Sequence, residues 1–123
     1  MITSTRLFFW LLALVFFASG LAKLLAFPFE VEAFERWGYP IWFMYAAGGI
    51  EVAGAVALFI ERLRAAAALG LAAFMIGAVV THFRFAEWGM MMLALVILLS
   101  ALALGLRHRA EAFALARRFG LPV

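Results

Sequence analysis

IWFMYAAGGIEVAGAVALFI, residues 41–60, holds one charged side chain in twenty, Glu51. Glu61-Arg62-Leu63-Arg64 follows, and then a second apolar stretch, AAAALGLAAFMIGAVVTH, fills residues 65–82. Roughly 20 apolar helical residues, each rising 1.5 Å, are needed to cross a hydrocarbon core about 30 Å thick. Two such stretches joined by only four residues predict antiparallel neighbouring helices that both span a membrane. Outward from this pair, residues 7–25 and 89–106 have the same character. The expected fold is all-α: an integral membrane four-helix bundle, with spans at about 7–25, 41–60, 65–82 and 89–106.

Composition agrees. Of 123 residues, 69% are hydrophobic and 14% charged, with a mean hydropathy of +1.12. A soluble domain of this size carries about 25% charged residues, so lipid replaces water over most of this surface. One four-span domain, 1–106, and a basic tail, 107–123, account for the length. The chain has no cysteine, which excludes thiol catalysis, disulfide exchange and iron–sulfur ligation. Of the two histidines, His108 lies in the tail, so His82 alone cannot form an axial pair for haem. No metal site and no covalently bound cofactor are expected.

The net charge of +3 reads as topology rather than nucleic-acid binding. Arg6, Arg62, Arg64, Arg107, Arg109, Arg117 and Arg118 fall on one side of the four spans. Only Arg36 and Arg84 fall in the loops of the other, beside Glu30, Glu32, Glu35 and Glu87. Basic loops stay in the cytoplasm, so both termini are expected there, with the protein in the cell's inner (plasma) membrane. Trp37, Tyr39, Trp42, Phe85 and Trp88 then form an aromatic belt at the outer interface. Arg6, an apolar run and Ala18-Ser19-Gly20 together imitate a signal peptide. An uncleaved first span is preferred, because cleavage would leave three spans with the charge asymmetry inverted.

Two readings fit the outer segment 27–40. Pro28 suits a helix start, and Val31, Phe34 and Trp37 share a face opposite Glu32 and Glu35, which gives a short interfacial helix ended by Gly38 and Pro40. The other reading is a loop anchored by aromatics. The tail places Phe113 and Phe119 among arginines and is expected to lie on the anionic inner leaflet.

Lys23, Glu51 and His82 are the ionisable residues within the spans. A charge at mid-membrane costs about 2.5–3.5 kcal/mol, so such residues usually face the bundle. Glu51 shares its helical stripe with Met44, Ala47, Gly48, Gly54 and Ala55. Lys23 shares one with Phe16, Ser19 and Gly20, and His82 with Met75, Ala78 and Val79. Small residues on these stripes let helices approach closely. Glu51 lies about 15 Å into its span, whereas Lys23 and His82 lie near the outer ends of theirs. Side chains lean toward a helix's N-terminus, so Lys23 and His82 lean inward while Glu51 leans outward. A Lys23–Glu51 pair with His82 beside it is expected in the outer half of the bundle. The alternative has Lys23 snorkelling to water, His82 merely interfacial, and Glu51 a protonated carboxyl bonded to a neighbouring helix. Gly70 and Gly77 are expected to mark close helix packing, and Met90, Met91 and Met92 to face lipid.

Ser19-Gly20-Leu21-Ala22-Lys23 closing the first span resembles the DoxX family. So do the Phe-rich segment ending in Gly38-Tyr39-Pro40, Gly48-Gly49-Ile50-Glu51 in the second span, and a histidine, His82, closing the third. The likeness covers about residues 7 to 106. DoxX-like proteins are small bacterial and archaeal membrane proteins, whose namesakes are associated with a thiosulfate:quinone oxidoreductase or quinol oxidase complex. The resemblance implies redox-linked membrane work and leaves the substrate open.

The resulting expectation is a subunit or accessory of a respiratory redox complex that binds a quinone in the outer half of the bundle. Lys23, Glu51 and His82 are the ligand-binding or proton-exchange candidates, supported by Ser19, Gly20 and Gly48. With no redox centre in the chain, electrons come from a protein partner; self-association is the other protein contact weighed. A non-catalytic assembly protein is the alternative, and a small metabolite transporter is less favoured because no span is broken. Reporter fusions joined after Arg64 and after Arg109 should both signal cytoplasm; a periplasmic signal from either would overturn the topology.

Overall fold

The computed structural model describes residues 4–122, which form helices and no strand. Four are long and apolar enough to cross a membrane: α1 (Ser4–Leu24), α3 (Ile41–Leu58), α4 (Arg64–Arg84) and α5 (Trp88–Arg107). Two are short, α2 (Pro28–Trp37) and α6 (Arg109–Arg118). The expected spans are all present, with ends shifted by a few residues. α4 runs past His82 to Arg84, and α3 stops at Leu58 rather than Ile60, because helical hydrogen bonding does not end where apolarity does.

The spans form a ring in the order α1, α3, α4, α5. α1 packs along α3 and α4 along α5, with a lighter seam between α3 and α4 and a lighter one between α1 and α5. α1 and α4 are therefore diagonal. Phe9, Leu12 and Phe16 of α1 meet Ala55 and Leu58 of α3, Leu71 and Met75 of α4, and Ala94 and Ala101 of α5 in one core. Outward faces carry Phe8, Leu14, Val96 and Leu99, all largely exposed, as lipid-facing helices require. Met90 and Met92 are exposed in the same way.

Residues 28–37 are a helix, not an anchored loop. Pro28 sits in the first turn, where its missing N–H costs nothing. Gly38 closes the helix at φ 77°, its N–H bonded to the Glu35 carbonyl at 3.0 Å. Phe34 is buried against Met44 and Ala47, with Val31, Trp37 and Phe74 around it, while Glu32 and Glu35 point away. α2 thus caps the end of the bundle where α1 stops and α3 begins. Phe9 against His108 marks the opposite end, where α6 lies near the start of α1.

The turns after α1 and α4 share one construction. Ala26 (φ 53°) and Ala86 (φ 56°) are left-handed, and the next N–H groups, of Phe27 and Glu87, bond back to Ala22 and His82 at 3.0 and 2.9 Å. This is the geometry of a glycine-type helix terminus, built here with alanine.

The backbones of α1 and α3 pass close to each other at Gly20 and Gly48. A Cβ on Gly20 would stand 2.8 Å from the Gly48 carbonyl oxygen, and one on Gly48 would stand 2.8 Å from the Gly20 oxygen. Neither obstacle is a side chain that can rotate away. Gly70 and Gly77 behave otherwise than expected: a Cβ at either meets nothing within 4 Å, and both face outward. Seven-residue spacing put them on one stripe, but it is the lipid-facing one. Gly20→Ala and Gly48→Ala should each destabilise the protein by about 1–3 kcal/mol, whereas Gly70→Ala and Gly77→Ala should change thermal stability in detergent little; equal effects at all four would refute the close crossing.

Candidate functional site

Because the two glycines let α1 and α3 touch, the side chains beside them are forced together. Lys23 stands one turn from Gly20, and Glu51 one turn from Gly48. The Lys23 ammonium lies 2.8 Å from Glu51 Oε1. It also donates to Ser19 Oγ at 2.9 Å and to Glu30 Oε2 at 3.2 Å. Ser19 is on the same face of α1, and Glu30 is in the first turn of α2. One cation thus serves two carboxylates, in a place largely closed to solvent: the side chains of Lys23, Glu30 and Glu51 are 13%, 12% and 4% exposed. Lys23 turns into the bundle and does not snorkel. Glu51 Oε1 is closed to solvent and has the Lys23 ammonium as its close ion-pair partner.

His82 is not in this cluster. It lies on α4, diagonal to α1, and the turn at Ala86 brings Glu87 back over it. His82 Nδ1 is 2.7 Å from Glu87 Oε1. Trp37 Nε1 donates to the same oxygen at 3.1 Å, and Arg36 Nε donates to Glu87 Oε2 at 2.9 Å. The Trp37 ring also meets the His82 ring edge-on, 5.5 Å between centroids. The expectation that His82 sits beside the Lys23–Glu51 pair is corrected: lean and depth were right for α1 and α3, but the ring order separates α4 from α1.

The two clusters are joined by α2. Its first turn supplies Glu30 to Lys23, and its last turn supplies Arg36 and Trp37 to Glu87. Just beyond it, Tyr39 Oη donates to Thr81 Oγ1 at 2.8 Å, whose own hydroxyl donates to the Gly77 carbonyl at 2.9 Å. Trp37, expected in an interfacial belt, is instead partly buried in this network, while Trp42 and Trp88 remain exposed. Glu30, Arg36, Trp37 and Glu87 were not singled out from the sequence as site residues. Glu30 falls seven residues after Lys23 and Glu87 five after His82, distances that two tight turns convert into contacts.

The opposite end holds another buried charge. Arg64 makes paired hydrogen bonds to Glu111 of α6, at 3.0 and 2.8 Å, and its guanidinium lies 4.8 Å from the centre of the Phe9 ring. Arg64 therefore fastens the tail helix to the bundle rather than standing free in a loop.

Burial would raise the Glu87 carboxyl above its ordinary value, but hydrogen bonds from His82, Arg36 and Trp37 and the charge of Arg36 more than offset it, so it is lowered. A carboxyl that is more acidic in the folded state stabilises the fold above its unfolded value, and that contribution is lost as pH falls through the folded one. At neutral pH, Glu87→Gln should therefore be less stable than wild type by on the order of 1 kcal/mol, with the difference closing as pH drops below the ordinary carboxyl value of 4.5. A difference that stays constant across that range, measured by melting in detergent, would contradict the clasp.

Comparison with known proteins bears on the whole arrangement. The profile of the DoxX-like family matches residues 8–104, from α1 almost to the end of α5. The "Uncharacterized protein YdgD" of Bacillus subtilis (strain 168) is 35% identical over 75 residues, which cover 58% of this chain and 66% of that protein, just under two thirds of its length. No solved structure matches. With the family profile running through all four membrane-spanning helices and both charge clusters, the chain belongs to the DoxX-like family.

Proposed function

We propose that this DoxX-like membrane protein is a subunit or accessory of a respiratory redox complex, and that its Lys23–Glu51 site exchanges protons with a quinone. The observation that carries the reading is the Glu51 carboxylate, buried at mid-span and paired at 2.8 Å with the Lys23 ammonium. A quinone supplies a lipid-soluble two-electron, two-proton couple when bound. Glu51 would accept a hydroxyl proton at Oε1, and Lys23 would keep the carboxylate from being stranded as an uncompensated charge. Glu30, held by the same ammonium, is the next carboxylate toward the α2 end and would pass the proton onward. Phe34, Met44, Ala47 and Phe74 form an apolar packing beside it, among which such a ligand would have to insert. His82 belongs to the clasp that holds α2 over this end of the bundle. Electrons would come from a partner protein. By the arginine distribution, the α2 end faces outward and the α6 end the cytoplasm of the inner (plasma) membrane.

A non-catalytic assembly role is the second reading, favoured by the pairing of both clusters within the chain, as a structural staple would be. The two separate on one set of variants. Glu51→Gln should cost about 1–3 kcal/mol, less than the loss of a sole partner, because Lys23 retains Glu30. The triple change Lys23→Met, Glu30→Gln and Glu51→Leu removes every charge together and should leave the bundle stable, since packed apolar groups replace buried ion pairs well. Binding of a short-tailed ubiquinone analogue, followed by tryptophan quenching, should be lost in that triple variant. Undiminished binding in a stable triple variant would sink the proton-exchange site and leave the assembly role. Mass spectrometry after gentle purification from native membranes should find quinone and a redox-active subunit together.

A further inference from the structure

The α6 end carries a second feature, independent of the Lys23–Glu51 site. α6 has no buried residue of its own; it is held at a fixed place by the paired hydrogen bonds from Arg64 to Glu111. Between α6 and the α3–α4 turn this leaves a groove of about 900 Å³, within the volume range of small-molecule sites, about 300–1,000 Å³. Its apolar lining includes Ile60, Leu63, Leu115 and Phe119, and its charged lining is Arg62 and Arg118 with Glu61 and Glu111. Among the described residues, neither arginine meets a carboxylate. Of the two carboxylates nearby, Glu111 is occupied by Arg64, and Glu61 is 70% exposed and turned toward Arg64 at 4.0 Å. Arg64 thus answers both carboxylates, and Arg62 and Arg118 are the groove's charges without an ion-pair partner among the described residues.

Its position decides what fills it. The turn joins the last residues of α3 to the first of α4, so the groove opens at the level where two spans leave the hydrocarbon core. Molecules at that level are bilayer lipids, and an apolar slot under two unpaired guanidinium groups complements an acyl chain joined to a phosphate.

We infer that the groove between α6 and the α3–α4 turn binds one anionic glycerophospholipid, its phosphate held by Arg62 and Arg118 and the start of its acyl chain lying on Ile60, Leu63 and Phe119. Arg64–Glu111 sets the width of the slot. The lipid completes the packing of α6, which the protein alone leaves exposed.

The test uses the full chain in detergent, titrated with phosphatidylglycerol and, separately, with phosphatidylcholine, reading lipid adducts by native mass spectrometry and melting temperature in parallel. Wild type should retain a single phosphatidylglycerol and melt higher with it, and should show at least tenfold weaker retention of phosphatidylcholine. Arg62→Gln with Arg118→Gln should weaken phosphatidylglycerol retention at least tenfold while the lipid-free melting temperature stays the same, since both side chains are exposed. Arg107→Gln with Arg117→Gln removes the same charge from outside the groove and should retain the lipid as wild type does. Equal loss in the two double variants would mean a diffuse basic surface and overturn the site, as would equal retention of phosphatidylcholine. Inorganic phosphate that displaced the lipid at millimolar concentration would reduce the site to an anion site and overturn the acyl-chain contact. None of these outcomes depends on whether a quinone binds at the other end.

Discussion

Gly20 and Gly48 bring two helix backbones together, and the Lys23–Glu51 cluster depends on that contact. In lipid there is no hydrophobic force to draw one apolar helix onto another, so close approach must come from side chains small enough to permit it. With α1 and α3 this near, Lys23 and Glu51 cannot avoid each other, and each removes the cost of burying the other. The glycines also fix what the ammonium can reach: its remaining contacts, Ser19 and Glu30, are those within one side-chain length of the crossing. A wider crossing would leave a charge in hydrocarbon, or would force Lys23 outward to water and Glu51 to take up a proton.

The second cluster obeys a different rule. His82 and Glu87 are five residues apart, joined by a turn whose alanine adopts a conformation more natural to glycine, and their partners come from α2 rather than from another span. α2 is thus bound at its first turn to the α1–α3 half and at its last turn to the α4–α5 half. Between those two points it contributes one deeply buried side chain, Phe34. Its hold on the bundle is mainly polar, unlike that of the spans beneath it.

Much of this was legible from residue order. Span number, the small-sided stripe around Glu51, and the Lys23–Glu51 pairing all follow from helical periodicity and from the direction in which side chains lean. Three features were not, each for a physical reason. His82 was placed wrongly because lean and depth locate a residue along the membrane normal but not around the ring, and nothing in the residue order says that α1 and α4 are diagonal. Gly70 and Gly77 look like Gly20 and Gly48 in sequence, and only the facing helix distinguishes a crossing from a lipid-exposed gap. Arg64 was counted among loop charges because its partner, Glu111, lies 47 residues away. The DoxX-like motifs at Lys23, Glu51 and His82 identified the family, yet they gave no hint that these residues divide between two clusters.

The pairing of α1 with α3 around opposite charges also constrains how the protein is made. Lys23 and Glu51 are 28 positions apart in the chain, a delay of roughly 1–6 s at ordinary synthesis rates of about 5–20 residues per second. During that interval α1 is in the bilayer without α3, and its ammonium is answered only by Ser19, then by Glu30 as α2 emerges. Near the end of its span, Lys23 can wait at the interface until Glu51 arrives. Glu51, at mid-span, has no such refuge. It thus enters hydrocarbon either protonated or beside Lys23, and the α1–α3 pair is the contact in which both charges are settled at once.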